Sequence, residues 1–239
     1  IKKSEPKLLK EIQKGLILGA KESDCPLVGG EIADVPELLN AAYRINCDCV
    51  GEVKKQKIIT GGKIRPGDIV IGFQSSGIHS NGFTLARKVL FKKWGGKFNN
   101  FEKPKGFKKS LIYECLEPTK IYVKPFLKIA EKYKILGAVH ITGDAYLKFK
   151  KLMRNCGFEF FNFKPQPIFH LIQKTGKISN QEMFKTFNMG WGFAVIVKKE
   201  DTENILDLLK RGKVKAEVIG RVIQTKKIII NYQNKKFEL

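Results

Sequence analysis

The chain has 239 residues, of which 43% are hydrophobic and 28% charged, and its 45 Lys+Arg against 23 Asp+Glu give a formal net charge of +22. This balance excludes a disordered, collagen-like or coiled-coil chain. Lysines interrupt every apolar stretch before it reaches the roughly 18 residues that a membrane span needs. The first residues carry no apolar run of the secretory type. We therefore expect a cytoplasmic protein with no membrane partner, folded as one large domain or two small ones.

The positive charge raises the question of an anionic partner. Only six of the 45 basic residues are arginines, and the lysines are spread along the whole chain. Bidentate recognition of bases and phosphates favours arginine, whereas scattered lysines mainly make a hydrated surface. This pattern argues against a nucleic-acid partner and favours a small substrate or cofactor that carries phosphate. A non-catalytic basic domain that binds RNA or nucleotides stays open as an alternative, and a steep salt dependence of RNA binding would support it.

The five cysteines, Cys25, Cys47, Cys49, Cys115 and Cys156, are odd in number and lack C-x-x-C spacing. Such usage in a chain without a secretory signal predicts reduced thiols. Cys47 and Cys49 would share one face of a strand, but two thiols without a nearby histidine make a poor zinc site. We expect the cysteines to be small buried side chains.

Residues 1–60 predict a first domain that is less regular than the rest. Apolar residues at helical spacing predict a helix over residues 6–20. Short apolar runs predict strands over residues 25–31 and 45–53. The Gly and Pro residues of segment 58–68 indicate a boundary, so we divide the chain into domains 1–60 and 61–239.

The second domain shows a mixture of strand and helix patterns, which predicts α/β or α+β layers. Between two of the helical patterns, residues 95–109 are rich in Gly, Lys and Asn and predict a loop. The predicted strands are 69–73, 138–141, 193–197, 216–222 and 227–232, and the predicted helices are 83–93, 121–134, 146–155 and 202–210.

The turn between the strand at 69–73 and the helix at 83–93 is the strongest candidate for chemistry. A helix N-terminus offers free N–H groups and a positive dipole end to an anion. Glycines permit close backbone approach, and Ser80 or Asn81 could cap the helix. His79 could donate to a phosphate or move a proton, because its ordinary pKa is about 6.5. The alternative is a capped turn with an exposed histidine and no ligand. The candidate phosphate-binding residues are Ser75, Ser76, Gly77, Ser80, Asn81 and Gly82.

Glu31 and Asp34 follow a Gly pair at the end of the first predicted strand. Two carboxylates three residues apart could hold a hard cation such as Mg²⁺. The alternative is that the glycines only make a turn and that both carboxylates face water.

Two later segments also follow or precede predicted strands. Thr142 and Gly143 could cap a helix and open a backbone nest for an anion, although Asp144 brings negative charge to the same place. His140 lies inside an apolar strand pattern, which favours a core histidine over a catalyst. The G-x-G of residues 190–192 is weak evidence by itself, because close strand packing also explains it.

Taken together and in this order, five segments resemble one family, the phosphoribosylformylglycinamidine cyclo-ligases, also called aminoimidazole ribonucleotide synthetases. The resemblance covers essentially the whole chain, but the family's chain is longer at its N-terminus, where it carries a Gly- and Asp-bearing segment for ATP and Mg²⁺. We therefore expect the chain to correspond to the C-terminal part of that chain. The segments are GGE-x-A-x-x-P at 29–36, SSG-x-HSNGF-x-L-x-RK at 75–88, L-x-PT-x-IYVKP at 116–125, H-x-TG at 140–143 and EMF-x-TFNMG-x-G at 182–192.

The resemblance implies an α/β protein with a partial ferredoxin-like first domain and a complete C-terminal domain whose mixed sheet is covered by helices. It implies an enzyme of purine biosynthesis that uses ATP and Mg²⁺ and forms a homodimer through its N-terminal domain. The reaction it implies is phosphorylation of the formyl amide oxygen of formylglycinamidine ribonucleotide, followed by ring closure to aminoimidazole ribonucleotide. His79 would be catalytic, and Glu31 and Asp34 would organise Mg²⁺-ATP. The serine, glycine and asparagine residues of the turn listed above, with Thr142 and Gly143, would bind phosphate.

The sequence also departs from the family pattern. Asp144 and Ala145 stand where the family commonly has glycines, Lys120 stands where it has arginine, and Ile32 replaces a threonine. Related ATP-dependent enzymes stay open as alternatives, namely selenophosphate synthetase, thiamine-monophosphate kinase and formylglycinamidine ribonucleotide synthetase. The HSNGF and TFNMG segments favour the cyclo-ligase over these.

Overall fold

The computed structural model describes residues 1–239. Its helices are α1 (Pro6–Ser23), α2 (Phe83–Leu90), α3 (Leu111–Cys115), α4 (Val123–Lys132), α5 (Pro167–Gly176), α6 (Asn180–Thr186) and α7 (Thr202–Arg211). Its strands are β1 (Ile69–Gln74), β2 (Gly137–His140), β3 (Gly157–Phe160), β4 (Trp191–Val197), β5 (Ala216–Ile223), β6 (Ile228–Tyr232) and β7 (Lys235–Glu238). Short 3₁₀ segments lie at Pro36–Leu38, Lys55–Lys57, Lys92–Trp94, Ala145–Leu152 and Lys199–Asp201.

The chain divides into two compact units. The first consists of Ile1–Ile58 and Ile121–Phe126, and the second of Ile59–Lys120 and Leu127–Leu239. No helix combines the length and the apolar character needed to cross a membrane.

The first unit contains α1, two 3₁₀ turns and the first residues of α4, and it has no strand. The strands predicted over residues 25–31 and 45–53 are therefore wrong, and the ferredoxin-like sheet expected for residues 1–60 is not formed. Val28 and Val50 lie in these segments and are 96% and 98% exposed. A strand needs a neighbour to satisfy its backbone groups and to cover its apolar face, and neither segment has one here.

The second unit contains one seven-stranded sheet in the order β2-β4-β1-β5-β3-β6-β7. All neighbouring strands run antiparallel except β3 and β6, which pair in parallel. The expectation of a mixed sheet in an α/β protein is thus confirmed. In this sheet β1 lies between β4 and β5. The C-terminal end of β1 is therefore flanked by a strand on each side.

Helices cover both faces of this sheet. Val70, Ala194 and Ile196 belong to the main apolar core together with residues of α2, α5 and α6. Ile71 and Val195 alternate with them along β1 and β4 and are also fully buried, so they face the opposite side. On that side α7 contacts β5 and buries its apolar stripe. Burial on both faces explains why β1 reads as a continuous apolar run in the sequence.

Most predicted elements of the second unit are confirmed within a few residues. The five predicted strands correspond to β1, β2, β4, β5 and β6, and the helices at 83–93, 121–134 and 202–210 correspond to α2, α4 and α7. The helix predicted over 146–155 is instead a 3₁₀ segment, whose N-cap Asp144 and first residue Ala145 both have positive φ. Five elements of the second unit were not predicted from the sequence, namely β3, β7, α3, α5 and α6.

Candidate functional site

The loop that joins β1 to α2, residues 75–82, starts at the C-terminal end of a central strand and is fixed there by three distant segments. The Ser75 N–H donates to the Gly190 carbonyl oxygen over 2.9 Å. The Gln166 amide donates to the Ser75 carbonyl oxygen over 2.6 Å, and the Ser76 hydroxyl donates to the Pro118 carbonyl oxygen over 2.6 Å. Serine side chains near the entrance of this β1–α2 loop therefore serve partly to hold its backbone.

His79 lies buried within the β1–α2 loop, with 3% of its surface exposed and φ of 57°. Its Nε2 accepts a hydrogen bond from the Ser76 N–H over 3.0 Å, which in the neutral imidazole places the proton on Nδ1. Burial, followed by the charges of His140 and Lys120, lowers the pKa of His79 to about 4. His79 is thus neutral at pH 7 and holds the turn from Ser76 to His79.

The end of the loop differs from the sequence-based expectation. We predicted that Ser80 or Asn81 caps α2, but the N-cap residue is Gly82, with φ of 76° and no capping side chain. That prediction is wrong because the left-handed turn at Gly82 carries the chain into the helix one residue later. The first turn of α2 is left without a side-chain acceptor, which keeps its N–H groups available to an anion.

The segment after β2 lies against the same loop. A Cβ atom added to Gly143 would sit 3.3 Å from the Asn81 Oδ1. The structure thus brings together Gly143 and Asn81, both of which we predicted to bind phosphate. Thr142 accepts a hydrogen bond from the Lys148 ammonium group. His140, which the sequence placed in the core, is exposed at the end of β2, because β2 lies at the edge of the sheet.

Burial, and after it neighbouring positive charge, lowers the pKa values of three basic side chains near this loop. The pKa of Lys120 is lowered by burial and then by Lys215. The pKa of Lys148 is lowered by burial and then by Lys151, and that of His140 by burial and then by Lys148. Like charges held together in this way repel one another, and a bound anion relieves the repulsion. Lys148 and Lys215 were not predicted as site residues, because nothing in their local sequence distinguishes them from the rest of the 45 Lys+Arg.

Asn188 connects the β1–α2 loop to the segment before β4. Its side-chain NH₂ donates to the Gly77 carbonyl oxygen over 2.8 Å, and its Oδ1 accepts from the Gly190 N–H over 2.9 Å. The buried Tyr146 hydroxyl donates to the Asn188 carbonyl oxygen over 3.1 Å. The TFNMG segment, residues 186–190, therefore holds the β1–α2 loop in place through Asn188. The G-x-G pattern at residues 190–192 did not predict this role.

A cavity of about 500 Å³ opens at the same end of β1 as the loop. Its lining includes Gln74, Trp191 and three lysines, together with two carboxylates; the charged residues are Lys210, Lys213, Lys215, Asp207 and Glu217. Lys215, which lines this cavity, also acts on the pKa of Lys120 beside the loop.

Glu31 and Asp34 lie in the first unit, and both are exposed. No group of three or more His, Cys, Asp or Glu side chains is arranged to hold a metal ion. Mg²⁺ is commonly held by one or two protein carboxylates, with water and substrate phosphates completing the shell. The role of the two carboxylates as metal ligands stays a prediction.

The lowered pKa of His79 predicts a loss of stability in acid. Between pH 6.5 and about 4 the unfolded chain binds a proton at this residue that the folded chain does not bind, so stability falls as the pH drops through this window. The difference corresponds to about 3 kcal/mol. We expect urea titrations at pH 7 and pH 4 to show this extra loss in the native chain and not in a His79→Gln variant. An equal pH dependence of stability in both proteins would contradict the lowered pKa of His79.

The chain matches known proteins over most of its length. Residues 65–233 match the family described as "AIR synthase related protein, C-terminal domain". A phosphoribosylformylglycinamidine cyclo-ligase of Pyrococcus furiosus is 43% identical over 99% of this chain and 68% of its own length. One of Bacillus cereus strain Q1 is 40% identical over 96% of this chain and 67% of its own.

A solved structure, "T. maritima PurL complexed with FGAR", is 16% identical and has a TM-score of 0.49 over 78% of this chain and 29% of its own. The chain spans about two thirds of the length of the curated relatives that it matches. Sequence identity of this degree, over nearly every residue present, establishes that the chain belongs to the phosphoribosylformylglycinamidine cyclo-ligase family.

Proposed function

We propose that the chain takes part in the ATP-dependent ring closure of formylglycinamidine ribonucleotide to aminoimidazole ribonucleotide. The observation that carries the proposal is the position of two lysines at the β1–α2 loop. Lys148 donates to Thr142, next to the Gly143 that lies against Asn81, and Lys120 is close enough to lower the pKa of His79. A phosphate bound there would receive charge-assisted hydrogen bonds. The family membership supports the choice of a ribonucleotide as the source of that phosphate.

The chemistry of the reaction asks mainly for positioning. An amide oxygen is a poor leaving group, and ATP supplies the phosphoryl group that makes it a good one. The protein then has to hold the substrate so that the amidine nitrogen lies close to the activated carbon, and to stabilise the transferred phosphoryl group. A loop tied at Ser75, Ser76 and Gly77 to three other segments is suited to hold an anion with little reorganisation.

His79 is placed to shape the loop that would bind the phosphate. In the proposed site its Nε2 keeps the Ser76 N–H in place, while Ser80, Asn81, Gly82, Thr142 and Gly143 line the anion's side of the loop. The neutral state of His79 at pH 7 leaves the positive charge to the lysines. In the first unit, Glu31 and Asp34 would help to organise Mg²⁺-ATP.

Loss of Lys120 or Lys148, the two lysines near the β1–α2 loop, should weaken substrate binding. We expect Lys120→Ala and Lys148→Ala each to raise the dissociation constant of formylglycinamidine ribonucleotide about 10-fold, because each removes a charge-assisted contact to the phosphate. Isothermal titration calorimetry on the full chain measures this directly. Lys226→Ala is the matched control, since Lys226 is exposed and follows β5 at the opposite end of the sheet.

Two results would contradict this prediction. Equal weakening by Lys226→Ala would indicate a general effect of net charge, and no weakening by Lys120→Ala or Lys148→Ala would remove the loop from substrate binding. Turnover is tested separately, as ADP release and aminoimidazole ribonucleotide formation with the same substrate and ATP. Turnover without dependence on these lysines would support the reaction and overturn the proposed phosphate site.

A further inference from the structure

Three of the five cysteines, Cys25, Cys47 and Cys49, are exposed, whereas Cys115 and Cys156 are buried. The expectation that all five are small buried side chains is therefore wrong for the first three. The segments that carry them form no strand, so no sheet face covers their thiols. Exposed thiols can react with reagents in solvent, and buried ones are inert.

Two of the exposed thiols lie in contact. The Sγ atoms of Cys25 and Cys49 are 3.8 Å apart, although 24 positions separate the residues in the chain. A disulfide bond requires about 2.05 Å between sulfurs, so bond formation calls for a small adjustment of both side chains. Cys25 is anchored by its N–H, which donates to the Ala20 carbonyl oxygen over 3.0 Å at the end of α1. The intervening segment has one 3₁₀ turn as its regular structure, at Pro36–Leu38, which leaves it able to adjust.

We propose that Cys25 and Cys49 are a modification site, at which a low-molecular-weight disulfide such as oxidised glutathione converts the two thiols to a reversible disulfide bond. The thiolate of one cysteine attacks the reagent's disulfide, forming a mixed disulfide and releasing one thiolate of the reagent. The second cysteine then attacks the protein sulfur of the mixed disulfide and releases the other. Two electrons pass to the reagent, and the two cysteine protons end on its two thiol products. Dithiothreitol reverses the reaction.

The bond would close a loop that contains Glu31 and Asp34. Linking the two ends of a segment reduces the range of conformations that it samples. Oxidation therefore restrains the part of the first unit that carries the predicted cation ligands. The neighbouring Cys49, through its hydrogen bond and then its charge, raises the pKa of the Cys25 thiol. Because thiolates are the reacting species, oxidation should accelerate as the pH rises above 7.

Alkylation with N-ethylmaleimide followed by intact-mass analysis tests the proposal on the full native chain. The reduced protein should take up three adducts rapidly, one at each exposed cysteine. After treatment with oxidised glutathione it should take up one, and dithiothreitol should restore three. Trypsin cleaves after Lys21, Arg44 and Lys54, so the bond should join peptide 22–44 to peptide 45–54.

Variants separate the proposed pair from its neighbour Cys47. Cys47→Ser should still form the linked peptide and lose both adducts on oxidation. Cys49→Ser should form any bond to Cys47 about 10-fold more slowly, since that thiol is not the one held in contact. Three adducts after oxidation, stable glutathione adducts instead of a bond, or equal rates in Cys49→Ser and the native chain would each overturn the proposal.

Discussion

Replacement of Asn188 by leucine is expected to destabilise the chain by about 5 kcal/mol, because two buried backbone groups would lose their partners and the new branched side chain has to be accommodated. The groups are the Gly77 carbonyl oxygen and the Gly190 N–H, which the Asn188 side chain now satisfies. Leucine has a similar volume and keeps water out of the space, so nothing replaces the lost hydrogen bonds. Urea denaturation followed by circular dichroism measures the free energy of unfolding.

The exposed residue Asn99 provides the matched control. Asn99→Leu should change the free energy of unfolding by less than about 0.5 kcal/mol, as surface substitutions usually do. Substrate binding should also be lost in Asn188→Leu, at temperatures where the variant is still folded, since Gly77 belongs to the β1–α2 loop. A variant that is as stable as Asn99→Leu would show that Asn188 does not support this loop.

Gly82→Ala should cost about 4 kcal/mol, the second largest expected effect. Gly82 has a φ of 76°, which alanine adopts only with strain. Its added Cβ would also lie 2.3 Å from the Cε1 of Phe187, a ring that is 1% exposed and has no room to move. The backbone strain and the clash with Phe187 both disturb the junction between the β1–α2 loop and α2. Affinity for the substrate should therefore fall as well.

Gly95→Ala isolates the backbone contribution. Gly95 also has a positive φ, 93°, but no atom lies within 4 Å of its added Cβ. It should lose about 1 kcal/mol, from backbone strain alone. The difference between the two variants in thermal or urea denaturation then reports the packing of Phe187 against the loop. Equal losses would mean that Phe187 does not restrict Gly82.

Local sequence signals predicted the centre of the second unit well. The apolar run at β1, the polar turn and the amphipathic pattern of α2 are each contained within a few residues, and the structure confirms both elements. The phosphate-site hypothesis drew on the same local signals. It could not include Lys148 or Lys215, because their approach to the loop depends on strand pairing rather than on spacing in the sequence.

Long-range contacts account for most of what the sequence did not predict. The Asn188 side chain meets Gly77 across 111 positions of the chain, and no local pattern marks an asparagine as such a bridge. The strands predicted at 25–31 and 45–53 are wrong for a different reason, namely that a long-range contact is missing. Their apolar composition suits a strand, but a strand exists only where a partner supplies hydrogen bonds, and composition carries no information about the partner.

The first unit is discontinuous in the chain, since Ile121–Phe126 belongs to it together with Ile1–Ile58. The Lys124 ammonium group donates to the Lys21 carbonyl oxygen at the end of α1, from 103 positions further along the chain. On the ribosome, α1 emerges long before this contact can form, and a protein cut after residue 58 would never form it. The order of translation therefore makes completion of the first unit a late event.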